Sequence, residues 1–294
     1  MPVVVSTYLQ YIGEYLLIGW AIYLIFRVGQ LSILSISTML IGAYFAGYAA
    51  ITWRLPFPVV MVAVVLLSAL LGFVLGLRLS GLPAFSCALV TIMLLYILQA
   101  VVSNTNALGA QAGLMGIPRL GYILPVTWFF VLVVAVFIYR LDNSRFGRAM
   151  EMIKVDPRSA QSVGINVRQY RIFLHTISAS IGGIAGVLHV FHQGSIVVSQ
   201  FSPLMFTVLM FIFVGGVNTM WGVLLGTPIL WAFYVFLPRE ITAFKDTLYG
   251  ILLVAVMVFL PNGVLTRPLL GSIRNKIFNI VTIRRKKPDR GLTS

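Results

Sequence analysis

The sequence predicts an all-α protein. Its architecture is a polytopic transmembrane helical bundle of about nine spans (eight to ten), with the amino terminus outside and the carboxyl terminus in the cytoplasm. Three observations predict this. The 294 residues are 60% hydrophobic and only 10% charged, whereas water-soluble domains carry about 25% charged residues. Such a surface needs lipid as its solvent, where only helices and closed barrels satisfy the backbone. The apolar runs also recur at the length that ~20 helical residues need to cross a ~30 Å hydrocarbon core. Finally, Lys and Arg gather at the ends of these runs, as membrane topology requires.

Nine spans follow in order: Tyr8–Phe26, Leu31–Ile51, Pro58–Leu77, Pro83–Val102, Leu124–Tyr139, Tyr170–Phe191, Pro203–Val217, Gly222–Leu237 and Leu248–Leu260. The first residues lack the basic stretch of a cleavable signal peptide, so the first run is read as a retained span. The seventh run is short and interrupted by Gly215, Gly216 and Asn218, which suggests a broken or re-entrant helix. Small residues at four-residue spacing mark close helix contacts. They are Gly42, Ala46 and Ala50 in the second span and Ser68, Gly72 and Gly76 in the third. Ser178, Gly182 and Gly186 do the same in the sixth, and Gly222 and Gly226 open the eighth.

Nine spans with the amino terminus outside place 17 of the 21 Lys and Arg in the cytoplasm, leaving Arg54, Arg119, Arg239 and Lys245 outside. The chain then divides into a transmembrane domain, residues 1–265, and a basic tail, residues 266–294, expected to lie on anionic lipid headgroups. A nucleic-acid partner is disfavoured, because the positive charge follows the span ends rather than any nucleic-acid-binding module. The single cysteine, Cys87, excludes an internal disulfide framework.

Residues 140–171 form the one long polar segment between spans. Within it, Asp156 is placed to cap a short helix and Pro157 to open it, with Arg158, Ala160 and Val163 following and Gly164 ending it in a left-handed conformation. Two turns are too short to be stable alone, so this helix is expected to dock on a protein, through a face carrying Ala160 and Val163.

The segment Gly147–Gly186, GRAMEMIKVDPRSAQSVGINVRQYRIFLHTISASIGGIAG, resembles the membrane subunits of bacterial branched-chain amino acid ABC importers, most closely the LivM-type permeases. Gly29-Gln30-Leu31-Ser32 with Gly42-Ala43-Tyr44, Leu77–Gly81 with Thr91, Gly215–Gly222 with Gly226, and Phe259–Gly263 are similar to further stretches of that family, in the same order. The resemblance covers about Gly13 to Leu265. It implies one half of an importer in the bacterial inner membrane, with a second related permease, two cytoplasmic ATPases and a periplasmic or surface substrate-binding protein as partners. Asp156–Gly164 would be its coupling helix. ATP and magnesium would belong to the ATPases, since this chain has no phosphate-binding loop and no cofactor of its own is expected. The chain departs from the family at Leu34-Ser35 and at Ala107–Ala110, and both departures bear on the solute. Branched-chain amino acids, other small amino acids, amides, urea and organic acids all stay open.

Ser35, Thr38, Thr91, Gln99 and Asn104 are the candidate substrate-path residues, because polar groups inside lipid face a bundle interior. Glu14 is the only acidic residue deep in a span; it either meets a cation or sits near the outer interface. His175 and His189 lie about four turns apart on one face, too far to share a metal, so interhelical hydrogen bonds are expected. Neither a catalytic group nor a metal-binding pattern is present in the sequence. The rival reading is an ATP-independent transporter or channel, which would need intramembrane relays that are scarce here.

Overall fold

A computed structural model describes residues 2–236, 250, 251 and 254. The chain is helical nearly throughout: α1 Pro2–Phe26, α2 Leu34–Thr52, α3 Phe57–Leu79, α4 Ala84–Ser103, α5 Ile123–Asp142, α6 Arg145–Val155, α7 Pro157–Ser162, α8 Val167–Gln193, α9 Phe201–Gly215 and α10 Met220–Phe236. Two short strands, β1 Leu114–Met115 and β2 Ser195–Ile196, pair antiparallel. The first eight expected segments each coincide with one of these helices. The ninth, Leu248–Leu260, lies almost wholly outside the described residues, as does the basic tail. Among the described residues, seven helical stretches are long and apolar enough to cross a membrane, and part of α10, Met220–Ala232, is a shorter apolar helix.

Burial separates the helices into a centre and a periphery. In α1 and α2, 78% of the apolar stretch is buried, against 28% in α4 and α5. The peripheral helices turn Phe85, Leu89, Met93, Ile97, Phe129 and Leu132 outward, as lipid-facing surfaces do. At the centre, α8 lies against α1, α2 and α3. The small-residue stripes make this contact. A Cβ on Gly182 would stand 2.2 Å from the Ser35 carbonyl oxygen, and one on Gly186 would stand 2.3 Å from that of Met39. On α3, a Cβ on Gly72 would meet the Ala179 side chain at 2.5 Å. Backbones this close gain dispersion contacts that lipid tails cannot match.

Alternation of the helices produces two poles. One gathers the turn after α1, the α3–α4 turn, the end of α5, α6, α7 and the α9–α10 turn. It is held by the Arg27–Asp142 ion pair at 3.1 Å and by bonds from Gln30 Nε2 to the Leu79 and Leu82 carbonyls and from Arg171 to the Ser80 carbonyl. The other carries the two-stranded sheet, and Arg119 Nε donates to the Gln193 carbonyl there at 2.9 Å. The short seventh span resolves into α9, which stops at Gly215 with Gly216 at φ +113°. Gly215 and Gly226 then pack backbone to backbone across the α9–α10 hairpin.

Candidate coupling segment and polar sites

Residues 144–166 fold as two helices joined at Asp156. Ser144 caps α6 by accepting from the Phe146 and Gly147 amides. The apolar side of α6, Ala149, Met150 and Ile153, is buried against the bundle. Asp156 then caps α7 by accepting from the Arg158 amide at 2.9 Å and from the Ser159 hydroxyl. These bonds, the Ser159 hydroxyl first and the Arg158 amide next, hold the Asp156 carboxyl below the usual carboxylate range. Pro157 occupies the first helical position. At the other end, the Gly164 amide donates to the Gln161 carbonyl and the Ile165 amide to the Ala160 carbonyl, with Gly164 at φ +85°. This paired pattern is the Schellman ending, and a left-handed residue is its requirement.

One expectation is corrected here. Ala160 is fully buried and unavailable to a separate protein. Its side chain is covered because α6, which the polar sequence of this segment concealed, gives α7 something to pack on. The exposed apolar groups of the segment are Met152, Val155 and Val163, and Val155 is 83% exposed. Arg158 also faces outward. An open cleft of about 380 Å³ runs between the two helices, lined by Arg148, Glu151, Met152, Val155, Asp156, Ser159 and Ala160.

The substrate-path residues do not come together. Ser35, Thr38 and Thr91 are buried within the packing of α2, α4 and α8. The Thr91 hydroxyl accepts from the Ile33 amide at 3.1 Å, which holds the start of α2, and the Thr38 hydroxyl turns back to the Ser35 carbonyl. The Ser35 hydroxyl is buried with no hydrogen-bond partner among the described residues. Gln99 and Asn104 lie at the sheet pole. Asn104 is exposed and donates to the Ala100 carbonyl of its own helix. Gln99 Oε1 accepts from the Ser202 hydroxyl at 3.0 Å. It also borders a polar cleft of about 500 Å³ with Tyr96, Ser103, Gln111, Val198 and Ser199. Among the described residues, no charged side chain lines it.

Of the two central histidines, His189 bonds between helices, to Glu14 of α1, while His175 bonds to Gln30 in the connection between α1 and α2. His175 Nε2 lies 3.2 Å from Gln30 Oε1. His189 Nδ1 lies 2.7 Å from Glu14 Oε2, so the partner of Glu14 belongs to its own chain. Gln10 Nε2 donates to Glu14 Oε1 and to Thr127 Oγ1, while Gln193 and Gln200 reach the other nitrogen of His189. A carboxylate this deeply buried is retained only where such partners surround it.

Three contacts were not legible from residue spacing. They are Arg27 with Asp142, Gln99 with Ser202, and Lys154 Nζ with Asn218 Oδ1 at 2.5 Å. The one available signal was compositional: Asp142 is an acidic residue at the end of the fifth apolar run, close to the basic Arg140, Arg145 and Arg148.

The profile of the family described as "Branched-chain amino acid transport system / permease component" matches residues 4–259. The chain is 25% identical over 253 residues to the "Probable branched-chain amino acid transport permease protein LivM" of Methanocaldococcus jannaschii, covering 75% of this chain and 73% of that protein. It is 30% identical over 158 residues to the "High-affinity branched-chain amino acid transport system permease protein LivM" of Escherichia coli, covering 51% of this chain and 36% of that one. It is 28% identical over 158 residues to the "Ribose import permease protein RbsC" of Haemophilus influenzae, covering 51% and 48%. No solved structure matches the chain.

Proposed function

The chain belongs to the branched-chain amino acid transport system permease family, and from that premise we propose how this membrane subunit of an ABC importer is oriented, what drives it and what it carries. Family membership sets aside the ATP-independent carrier. In our reading the α6–α7 pole faces the cytoplasm of a bacterial inner membrane, with the amino terminus outside. The positive charge of residues 140–171 supports this.

The observation that carries the mechanism is the construction of α7. It is capped at both ends, anchored by buried Ala160 on α6, and it presents Arg158 and Val163 outward. A rigid element of this kind, fixed between α5 and α8, suits docking on a separate ATPase. Asp156, Pro157 and Gly164 shape it, Ala160 holds it to the bundle, and Arg158 and Val163 make the contact. Two ATPases, which carry ATP and magnesium, would draw together and displace two such segments. One belongs to this chain and one to a related second permease. A substrate-binding protein would deliver solute at the sheet pole, and no nucleic acid takes part.

The solute is a small polar molecule, a branched-chain amino acid or a related amino acid or amide. Gln99 and Asn104 are its first contacts. Ser35, Thr38 and Thr91 line its path only if α2 and α4 part from α8 during the cycle. The experiment is uptake of radiolabelled leucine into proteoliposomes holding the complete transporter, with ribose as the comparison. Uptake that needs ATP and the binding protein is expected. Uptake by this chain without ATPases would overturn the reading.

A further inference from the structure

We propose that α9 is a strut that carries displacement of the α6–α7 segment to the polar cleft at the opposite pole. It acts through Lys154–Asn218 at one end and Ser202–Gln99 at the other. The inference rests on the reading of α6–α7 as the driven segment, and adds the route by which it acts.

The geometry is continuous. Lys154 lies in the last turn of α6, and its backbone packs on the turn after α1, where a Cβ on Gly29 would come within 3.3 Å of the Lys154 Cα. Its ammonium group donates to the Asn218 amide oxygen at 2.5 Å, across a separation of 64 residues. Asn218 sits in the α9–α10 turn. That turn has no slack: a Cβ on Gly215 would stand 2.1 Å from the Gly222 carbonyl oxygen, and the Thr219 hydroxyl accepts from the Gly222 amide. A push on Asn218 therefore moves the end of α9 rather than deforming the turn. The helix runs 15 residues, about 22 Å, with Val208, Met210, Phe211 and Ile212 buried along it. At its far end Ser202 donates to Gln99, which borders the cleft shared by α4 and the 198–200 turn. Gln99 Nε2 is buried there with no hydrogen-bond partner among the described residues. A small shift of Ser202 would change which groups Gln99 presents to the cleft.

Lys154, Asn218 and Ser202 are on this account positioning residues, since none borders the cleft. The test reads the cleft directly. Spin labels are placed at Tyr96→Cys and Ser199→Cys in the complete transporter; the native Cys87 is buried and stays unlabelled. Their separation is measured without nucleotide and with ATP plus vanadate. A nucleotide-dependent change is expected with Asn218 intact, and Asn218→Ala is expected to reduce the shifted fraction roughly two- to tenfold. Asn218→Asp, which keeps an acceptor for Lys154, is expected to restore it. ATP hydrolysis should persist in all three, which separates a lost relay from a failed assembly. Should Asn218→Ala assemble poorly, Ser202→Ala breaks the strut at its other end and must show the same loss. A full change in either alanine variant, or none in the unsubstituted protein while ATP is hydrolysed, overturns the strut. Absence of ATP hydrolysis by the unsubstituted assembly instead overturns the reading on which the strut rests.

Discussion

Gly182 and Gly81 place opposite demands on a side chain. Gly182 faces the Ser35 backbone, where an added Cβ would stand at 2.2 Å, while nothing lies within 4 Å of the same atom on Gly81. A carbonyl oxygen in a helix cannot step aside, so the α2–α8 contact must open to admit even one methyl group. Overpacking of this kind costs about 1–3 kcal/mol, and in lipid no hydrophobic drive between helices offsets it. Gly182→Ala is therefore expected to lower the apparent melting temperature of the detergent-purified transporter, whereas Gly81→Ala leaves it unchanged. Equal melting temperatures for the two variants would show that α8 does not depend on this approach. The same contrast separates residues that hold the bundle from those open to solute. Thr91, with its hydroxyl committed to the start of α2, belongs with Gly182, while Gln99 borders open space.

At the scale of the element, α7 is six residues long, so its two ends determine whether it exists. Gly164 stands at φ +85° with open space around it. The cost of a substitution there is conformational: ~1–2 kcal/mol for an ordinary L residue in the left-handed region, and less for Asn. Proline is excluded on both counts, since its φ is fixed near −65° and it lacks the amide that bonds to Gln161. Gly164→Asn is expected to keep leucine uptake per ATP near the native value, and Gly164→Pro to lose most of it while the chain still inserts. Asp156 adds a pH sign. Its carboxyl is held below the unfolded value, so its contribution to α7 is complete above the ordinary carboxylate range. It is lost only as pH falls through the depressed value. Uptake per ATP should consequently show no Asp156-dependent change between about pH 5 and 8. Asp156→Asn, which preserves an N-cap acceptor, should match it. A titration in that range that disappears in Asp156→Asn would contradict this assignment.

The caps of α7 were legible because capping is local: Asp156-Pro157 and Gly164 act on neighbours a few residues away. The spans were legible for a similar reason, since hydrocarbon thickness sets one length and every run had to meet it. Even so, α1 and α8 extend beyond the expected ends, because helices do not stop where the lipid does. By contrast, α6 was hidden by its charges. Ala149, Met150 and Ile153 form a narrow apolar stripe in a segment that otherwise reads as a polar loop. The partners of Lys154, Glu14 and Gln99 were illegible for a different reason. Each lies at least 64 residues away in the chain, and helix spacing says which face a residue occupies without saying what lies opposite.

For the whole molecule, orientation is the property on which the coupling argument turns. The structure divides the chain into two poles. The charge imbalance supplies the sign. The nine-span topology read from the sequence assigns 17 basic residues, seven of them in residues 140–171, to the cytoplasmic side and four to the outside, and this excess opposes translocation of the α6–α7 side. Two exposed polar positions report on it. Ser162, at the end of α7, and Asn106, in the 106–108 turn of the sheet pole, are both open to reagent. With Cys87 buried, Asn106→Cys should react with a membrane-impermeant maleimide in intact cells. Ser162→Cys should react only after the membrane is opened. The reverse pattern would put α7 outside, beyond the reach of any cytoplasmic ATPase, and the docking role of this helix would fall with it. Reaction of both positions in intact cells would mean that the chain inserts in both senses. Coupling would then be confined to the fraction whose α7 faces inward, and uptake should scale with that fraction across preparations.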